Sequence, residues 1–319
     1  MLDINLKASG FSDKTRALHN LQLLSNTAFK NHIEELVKLI LSSPSPDDAL
    51  NNLERVASLL SQETIGAFVK DKESLKGLIT ICGASNLLSN TIVRNPACIE
   101  QLLLEKGISR KRDMPAFLKE LGALIEDLHD FNSAARALRL FKEREYLRVG
   151  ARDILGLTSM QDTTLELSDM ASASLETAYR FCLAQLKAEY GTPLYTDLDG
   201  VERESEFVII GMGKLGGREL NFSSDIDIIY IYSSDNGETS GIARDMEQAN
   251  RVEQADRVGV MEQGVRRQHG CLDPNTRSPQ SKISLHTFYV RLSEMITRLI
   301  GSVTEDVMVF RVDLNLRPE

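Results

Sequence analysis

Asp225 and Asp227 are separated by one residue and stand at the head of an apolar run, Ile226–Tyr232. In a strand, residues two apart share a face, so the two carboxylates point the same way while Ile226 and Ile228 point into a core. Carboxylates held side by side repel each other unless a proton or a cation intervenes. Mg²⁺ takes carboxylate, phosphate and water oxygens together, which makes such a pair a natural magnesium platform. Two ions about 3.5–4 Å apart can clamp the attacking and leaving oxygens of an in-line displacement at phosphorus. Asp313 offers a third carboxylate for the same site. It lies in Val307–Leu314, which alternates as a strand, with Val307, Val309, Arg311 and Asp313 on one face and Met308, Phe310, Val312 and Leu314 on the other. Arg317 follows closely and suits a phosphate. The chemistry that these residues fit is metal-dependent nucleotidyl transfer. The competing reading is a strand end with two solvated acids and an ordinary surface arginine; the flanking turn and buried strand weigh against it.

That turn, Gly211-Met-Gly-Lys-Leu-Gly-Gly-Arg-Glu-Leu-Asn-Phe-Ser-Ser224, admits three readings. Gly211–Gly216 fits the G-x-G-x-x-G of dinucleotide-binding folds, but that reading needs a helix and then a parallel strand. Only residues 218–225 separate Gly217 from the next strand, and a crossover needs about a dozen residues or more. A Walker loop fails too, because Lys214 is followed by Leu215 and not by Ser or Thr. In the third reading Gly213, Lys214, Gly216 and Gly217 bring backbone and an ammonium close to a phosphate chain, and Ser223 or Ser224 adds a hydroxyl.

Helices must carry this site. Glycine and proline are sparse before residue 190, as a helical region requires. Leu50, Leu53, Val56, Leu59 and Leu60 recur at helix spacing within Pro46–Leu60. Leu118, Leu121, Leu124, Ile125 and Leu128 mark a second helix. A third is expected over roughly Ser168–Tyr190, ended by Gly191 and Pro193. The character changes near Asp199-Gly200: Phe207–Ile210 reads as a buried strand, Ile226–Tyr232 as another, and Ser284–Ile300 returns to helix period. The polar stretch Ala243–Lys282, with its repeated Glu-Gln, reads as a mobile insertion. The expectation is an α+β chain, with a helical N-terminal region over 1–155 and a catalytic region over 156–319.

Composition narrows the field. A net charge of −9 argues against general nucleic-acid binding, which depends on neutralising phosphates, though it leaves room for a local pocket for one nucleotide. No apolar window is long enough for a membrane span, and the N-terminus lacks a signal-type run, so a cytoplasmic protein is expected. Cys82, Cys98, Cys182 and Cys271 form no C-x-x-C pair, and the five histidines show no metal-ligand spacing.

Gly211-Met-Gly-Lys-Leu-Gly-Gly-Arg-Glu-Leu-Asn-Phe-Ser-Ser-Asp-Ile-Asp-Ile-Ile-Tyr230 closely resembles the signature of the bacterial glutamine synthetase adenylyltransferase/adenylyl-removing enzymes. So does Phe310-Arg-Val-Asp-Leu-Asn-Leu-Arg-Pro318. Val93-Arg-Asn-Pro96 and Tyr146-Leu-Arg-Val-Gly-Ala-Arg-Asp153 look like that family's helical N-terminal region. The resemblance covers nearly the whole chain apart from Ala243–Lys282. It implies a nucleotidyltransferase-type, polymerase beta-like mixed sheet with flanking helices, with Asp225, Asp227 and Asp313 holding Mg²⁺ and the Gly213–Ser224 turn holding phosphate. Glu219-Leu-Asn-Phe-Ser-Ser-Asp-Ile-Asp227 looks like the family's N-terminal domain, which removes AMP from a tyrosine of glutamine synthetase by phosphorolysis and releases ADP. A second domain adds AMP from ATP, under control of glutamine and a PII-type signalling protein. Family members continue past the position of Glu319, so the chain is expected to be the adenylyl-removing half, truncated. Asn315 stands where the family usually has arginine, Val307 where it has glycine, and Gly213-Lys214 lacks the serine of the wider superfamily. These departures sustain an alternative: a catalytically impaired module that binds glutamine synthetase or a PII protein.

Overall fold

The computed structural model of the chain describes residues 10–241, 282–302 and 308–314. Of the stretch Ala243–Lys282, read from sequence as a mobile insertion, all but Lys282 lies outside the described residues, as do Val307, Asn315 and Arg317.

Short polar side chains start most of the helices. The first are α1 (Lys14–Leu24), α2 (Ile33–Leu41), α3 (Pro46–Ala57), α4 (Gln62–Lys70), α5 (Lys72–Ala84) and α6 (Asn86–Arg94). The side chains of Asp13, Ser61, Asp71 and Ser85 accept the backbone N–H three residues on, at the starts of α1, α4, α5 and α6. Each such cap satisfies a donor that the helix leaves orphaned and is worth about 1 kcal/mol. Helix α3 opens instead with Pro46, Asp47 and Asp48; Asp47 accepts from the N–H groups of Ser12 and Asp13, each at 3.2 Å. Next come α7 (Met114–Ile125), α8 (Phe131–Ile154) and α9 (Met160–Tyr190). Helix α9 begins well before the expected Ser168. Its N-cap is Ser159, whose side chain accepts from the N–H of Asp162, a local signal that the apolar periodicity does not reveal. Gly191 ends it in a left-handed conformation, φ +83°.

Two apolar cores result. One runs from Phe11 to Ile108 and takes in Leu147 and Ala151 of α8. The other runs from Phe117 to Phe310 and takes in Leu138, Phe141, Tyr146 and Val149 of the same helix. Helix α8 therefore belongs to both cores. A buried ion network fastens it to α9: Arg148 Nε donates to Glu145 Oε2 at 2.7 Å, and its NH2 donates to Glu166 Oε1 at 2.5 Å. Arg112 donates to Glu145 at 2.7 Å through NH1 and to Glu166 at 2.8 Å through its backbone N–H.

The strands form two small sheets. β1 (Pro193–Thr196) lies between β2 (Glu202–Glu204) and β5 (Glu238–Thr239), all antiparallel. The second sheet orders as β3 (Phe207–Gly211), β4 (Ile226–Tyr232) and β6 (Val312–Asp313), with β3 antiparallel and β6 parallel to β4. A parallel neighbour requires a crossover, and α11 (Leu285–Gly301) lies between β4 and β6 in the chain. The helix α11 buries Leu285, Phe288, Leu292, Ile296 and Leu299 completely, and each such side chain contributes about 1.5–3 kcal/mol. The architecture is α+β, mostly helical and then sheet, as the sequence predicts.

The expected strand over Val307–Leu314 is corrected. Among the described residues 308–314, only Val312 and Asp313 pair, and the alternation breaks where Val309 and Phe310 are both buried. Two adjacent apolar residues can both enter a core only if the backbone between them is not extended. No helix among the described residues is long and apolar enough to cross a membrane. Cys82, Cys98 and Cys182 are buried free thiols, and burial pushes Cys82 and Cys182 up to about 12.

Candidate active site

Strand β4 presents Ile226 and Ile228 to the core, both fully buried, and turns Asp227 to the opposite, open face. On the parallel strand β6, Asp313 is the register partner of Asp227. Partners on adjacent parallel strands sit about 4.8 Å apart and point to the same face, so these two carboxylates emerge side by side. Asp225 lies just before β4. Its Oδ2 takes a hydrogen bond and ion pair from the Arg311 guanidinium. The backbone beneath this contact is pinned, because the Ile226 N–H donates to the Arg311 carbonyl at 2.9 Å. The carboxylate of Asp225 holds the guanidinium above its usual range.

The glycine turn opposes this edge. Strand β3 ends at Gly211, and the Met212 N–H donates to the Asp227 carbonyl at 2.8 Å. Gly213 then takes a left-handed φ of +50°, and a Cβ there would approach Asp227 Oδ2 to 2.4 Å. A single helical turn follows, α10 (Gly213–Gly216). The N–H groups of Gly216 and Gly217 donate to the carbonyls of Met212 and Gly213 at 2.9 and 3.0 Å, so both are engaged within the turn. A Cβ on Gly216 would meet the Gly211 carbonyl oxygen at 2.5 Å. Gly216 thus serves close backbone packing.

Lys214 reaches across to Ser224, Nζ to Oγ 3.4 Å. Asn221 organises both serines: its Oδ1 accepts from the Ser223 N–H at 3.1 Å and from the Ser224 hydroxyl at 2.8 Å. Lys214, Ser223 and Ser224 therefore gather on one loop beside Asp225. Arg317 lies outside the described residues.

Several supports were not singled out from sequence. Arg218 holds a left-handed φ of +58°, unusual for a residue with a Cβ, while its guanidinium donates to Asp169 Oδ1 of α9 at 2.5 Å. The neighbouring Ser168 hydroxyl accepts from the Leu220 N–H at 3.1 Å. The only local signal was a Ser-Asp pair set between Leu167 and Met170 on a buried helix face. Tyr146 of α8 packs edge-on against Phe222, centroids 5.4 Å apart, and against Phe310 at 6.3 Å. It thereby backs both the serine loop and the approach to β6. Lys142 lies over the same ring, 4.0 Å from its centroid, and burial pulls its ammonium down to about 8.

A family model described as glutamate-ammonia ligase adenylyltransferase matches residues 75–257 and 270–319. The chain belongs to that family. It is 30% identical over 247 residues to a bifunctional glutamine synthetase adenylyltransferase/adenylyl-removing enzyme of Shewanella woodyi, covering 77% of this chain and 21% of the relative. Enzymes of the same name from Nitrosococcus oceani (30% over 270 residues, 84% of this chain and 23% of the relative) and Vibrio parahaemolyticus (31% over 239 residues, 75% and 20%) are similarly related. The chain spans about a fifth of the length of these relatives.

An adenylyltransferase family implies a nucleotidyltransferase site served by a divalent metal. The donor set fits such an ion in kind, since Asp227 and Asp313 offer hard oxygen ligands at one register. Gly213 leaves the space beside Asp227 free of a side chain. As the side chains stand, no three carboxylate, histidine or cysteine groups among the described residues are gathered closely enough to hold an ion, and Asp225 is taken by Arg311.

Proposed function

We propose that this chain is the adenylyl-removing nucleotidyltransferase unit of the family, acting on adenylylated glutamine synthetase. The observation that carries the reading is the register pairing of Asp227 with Asp313 on the open face of the sheet, with Gly213 packed against Asp227. The names of the relatives supply the substrate. In the proposed reaction a phosphate oxygen attacks the phosphorus of adenylyl-tyrosine. A new P–O bond forms, the bond to the tyrosine oxygen breaks, the phenolate takes up a proton, and ADP leaves with the former AMP group.

Asp225, Asp227 and Asp313 would hold Mg²⁺, which when bound neutralises charge on the phosphoryl oxygens. Lys214, Ser223 and Ser224 orient the phosphate chain from the loop, and Arg317 is proposed as a further phosphate contact. In a full-length protein, ATP-dependent adenylylation and a PII-type partner complete the cycle. A second reading, a module that binds glutamine synthetase or a PII protein without catalysis, draws on the engagement of Asp225 by Arg311.

Incubating the chain with adenylylated glutamine synthetase, Mg²⁺ and inorganic phosphate separates the two. Phosphate-dependent ADP release supports the enzyme. Stable co-elution with glutamine synthetase or a PII protein and no ADP would replace it with the binding module.

A further inference from the structure

We propose that Arg311 is the resident counter-ion of the carboxylate site: it holds Asp225 until a divalent cation takes that carboxylate, and it is then released to the phosphate of the substrate. The inference rests on the metal-dependent reading above.

Asp227 and Asp313 share one register at this sheet edge, with Asp225 just before β4, and like charges so placed are eased by a cation. Arg311 supplies one from within the chain. Its position is set by the fold, because the carbonyl of Arg311 is bonded to the N–H of Ile226, between Asp225 and Asp227. The root of the side chain is therefore fixed two residues before Asp313, while the side chain as a whole is 71% exposed. An arginine does not deprotonate, so it vacates a carboxylate only by moving. The contact it would give up is cheap, since exposed ion pairs contribute about 0–1 kcal/mol. A guanidinium released there retains the planar fork that matches two phosphate oxygens. One side chain thus serves two states: it screens the acids when no metal is present, and it contacts phosphate when metal is.

The test is Mn²⁺ binding, read by electron paramagnetic resonance of the free ion, on the whole chain without nucleotide. Wild type, Arg311→Gln, Arg311→Lys and Asp227→Asn are compared, with melting curves to confirm folding. Removing the competitor should tighten Mn²⁺ binding in Arg311→Gln about two- to fivefold, the worth of an exposed ion pair. With Mn²⁺ saturating, the same variant should bind inorganic phosphate about tenfold more weakly, the loss of one charge-assisted contact. Arg311→Lys should fall between. Unchanged or weaker Mn²⁺ binding in Arg311→Gln, with wild type still binding through Asp227, overturns the counter-ion role alone. Equal Mn²⁺ binding by wild type and Asp227→Asn removes the metal site itself, and this proposal with it.

Discussion

Gly213 lies directly against the carboxylate of Asp227: a methyl group at position 213 would fall 2.4 Å from Oδ2, and the backbone there has a left-handed φ of +50°. Both facts demand glycine, one through space and one through conformation. Gly213→Ala should therefore lose about 1–3 kcal/mol of stability, from left-handed strain and displacement of the aspartate. Urea unfolding measures the first effect. A parallel loss of phosphate-dependent ADP release measures the second, and an alanine variant with wild-type stability would show that the turn relaxes freely.

Asp227→Asn keeps shape and removes a charge. The variant should fold with a melting temperature at or slightly above wild type in the absence of metal, because carboxylate repulsion is relieved. Wild type at a hundredfold excess of Mg²⁺ and nucleotide over Kd should gain about 2.7 kcal/mol through linkage. The variant should gain much less. Equal gains at matched ionic strength would count against metal binding at this pair.

Lys142 gives the protein a pH signature. Desolvation pulls its ammonium down to about 8 in the folded chain, whereas an unfolded lysine titrates near about 10.4. Between these values the native state has released a proton that the unfolded state retains, so this residue makes stability rise with pH across that window and fall as pH drops through 8. Lys142→Met should abolish the term. The stability difference between wild type and variant should shift in favour of wild type by at most about 3 kcal/mol from pH 7 to 10.5. Parallel pH–stability curves would show that Lys142 titrates as if solvated.

Glu166 lies almost wholly buried between Arg148 and the Arg112 backbone, two and three residues before Ser168 and Asp169, which hold the glycine turn. Glu166→Gln removes one of the two carboxylates that Arg148 pairs with, Glu145 remaining at 2.7 Å, and should cost about 1–3 kcal/mol. Calorimetry reads the loss. A shift below about 1 kcal/mol would mean that the network is solvated and not structural.

The ends of the described chain on either side of residues 242–281 are neighbours. Thr239 N–H donates to the Ile283 carbonyl at 2.9 Å, and Lys282 Nζ donates to Glu238 at 2.8 Å. Replacing 243–281 by a short glycine-serine linker should leave the melting temperature within a few degrees of wild type, given the low apolar content of the segment. A larger drop would show that these residues add to the core.

The sequence by itself determined the elements whose signal is local. Strand β4 over Ile226–Tyr232 was legible because branched and aromatic residues follow the Asp-x-Asp pair, and α11 because Leu285, Phe288, Leu292, Ile296 and Leu299 recur at helix period. Strand alternation set Asp227 opposite the buried Ile226 and Ile228, whereas Asp225, expected on the same strand face, lies just before β4; the long glycine-serine signature was specific enough to indicate the family. Where the chain leaves regular structure, local periodicity carries no signal. Val309 and Phe310 both enter the core, so period-2 alternation could not describe the approach to β6. Pairings between distant residues lay beyond any local signal. The register that sets Asp313 beside Asp227, the Arg311 contact with Asp225 across 86 residues, and the hold of Asp169 on Arg218 depend on how helices and strands pack. Periodicity fixes which face a residue takes on its own element; which other residue it meets there is decided only when two elements far apart in the chain share a core.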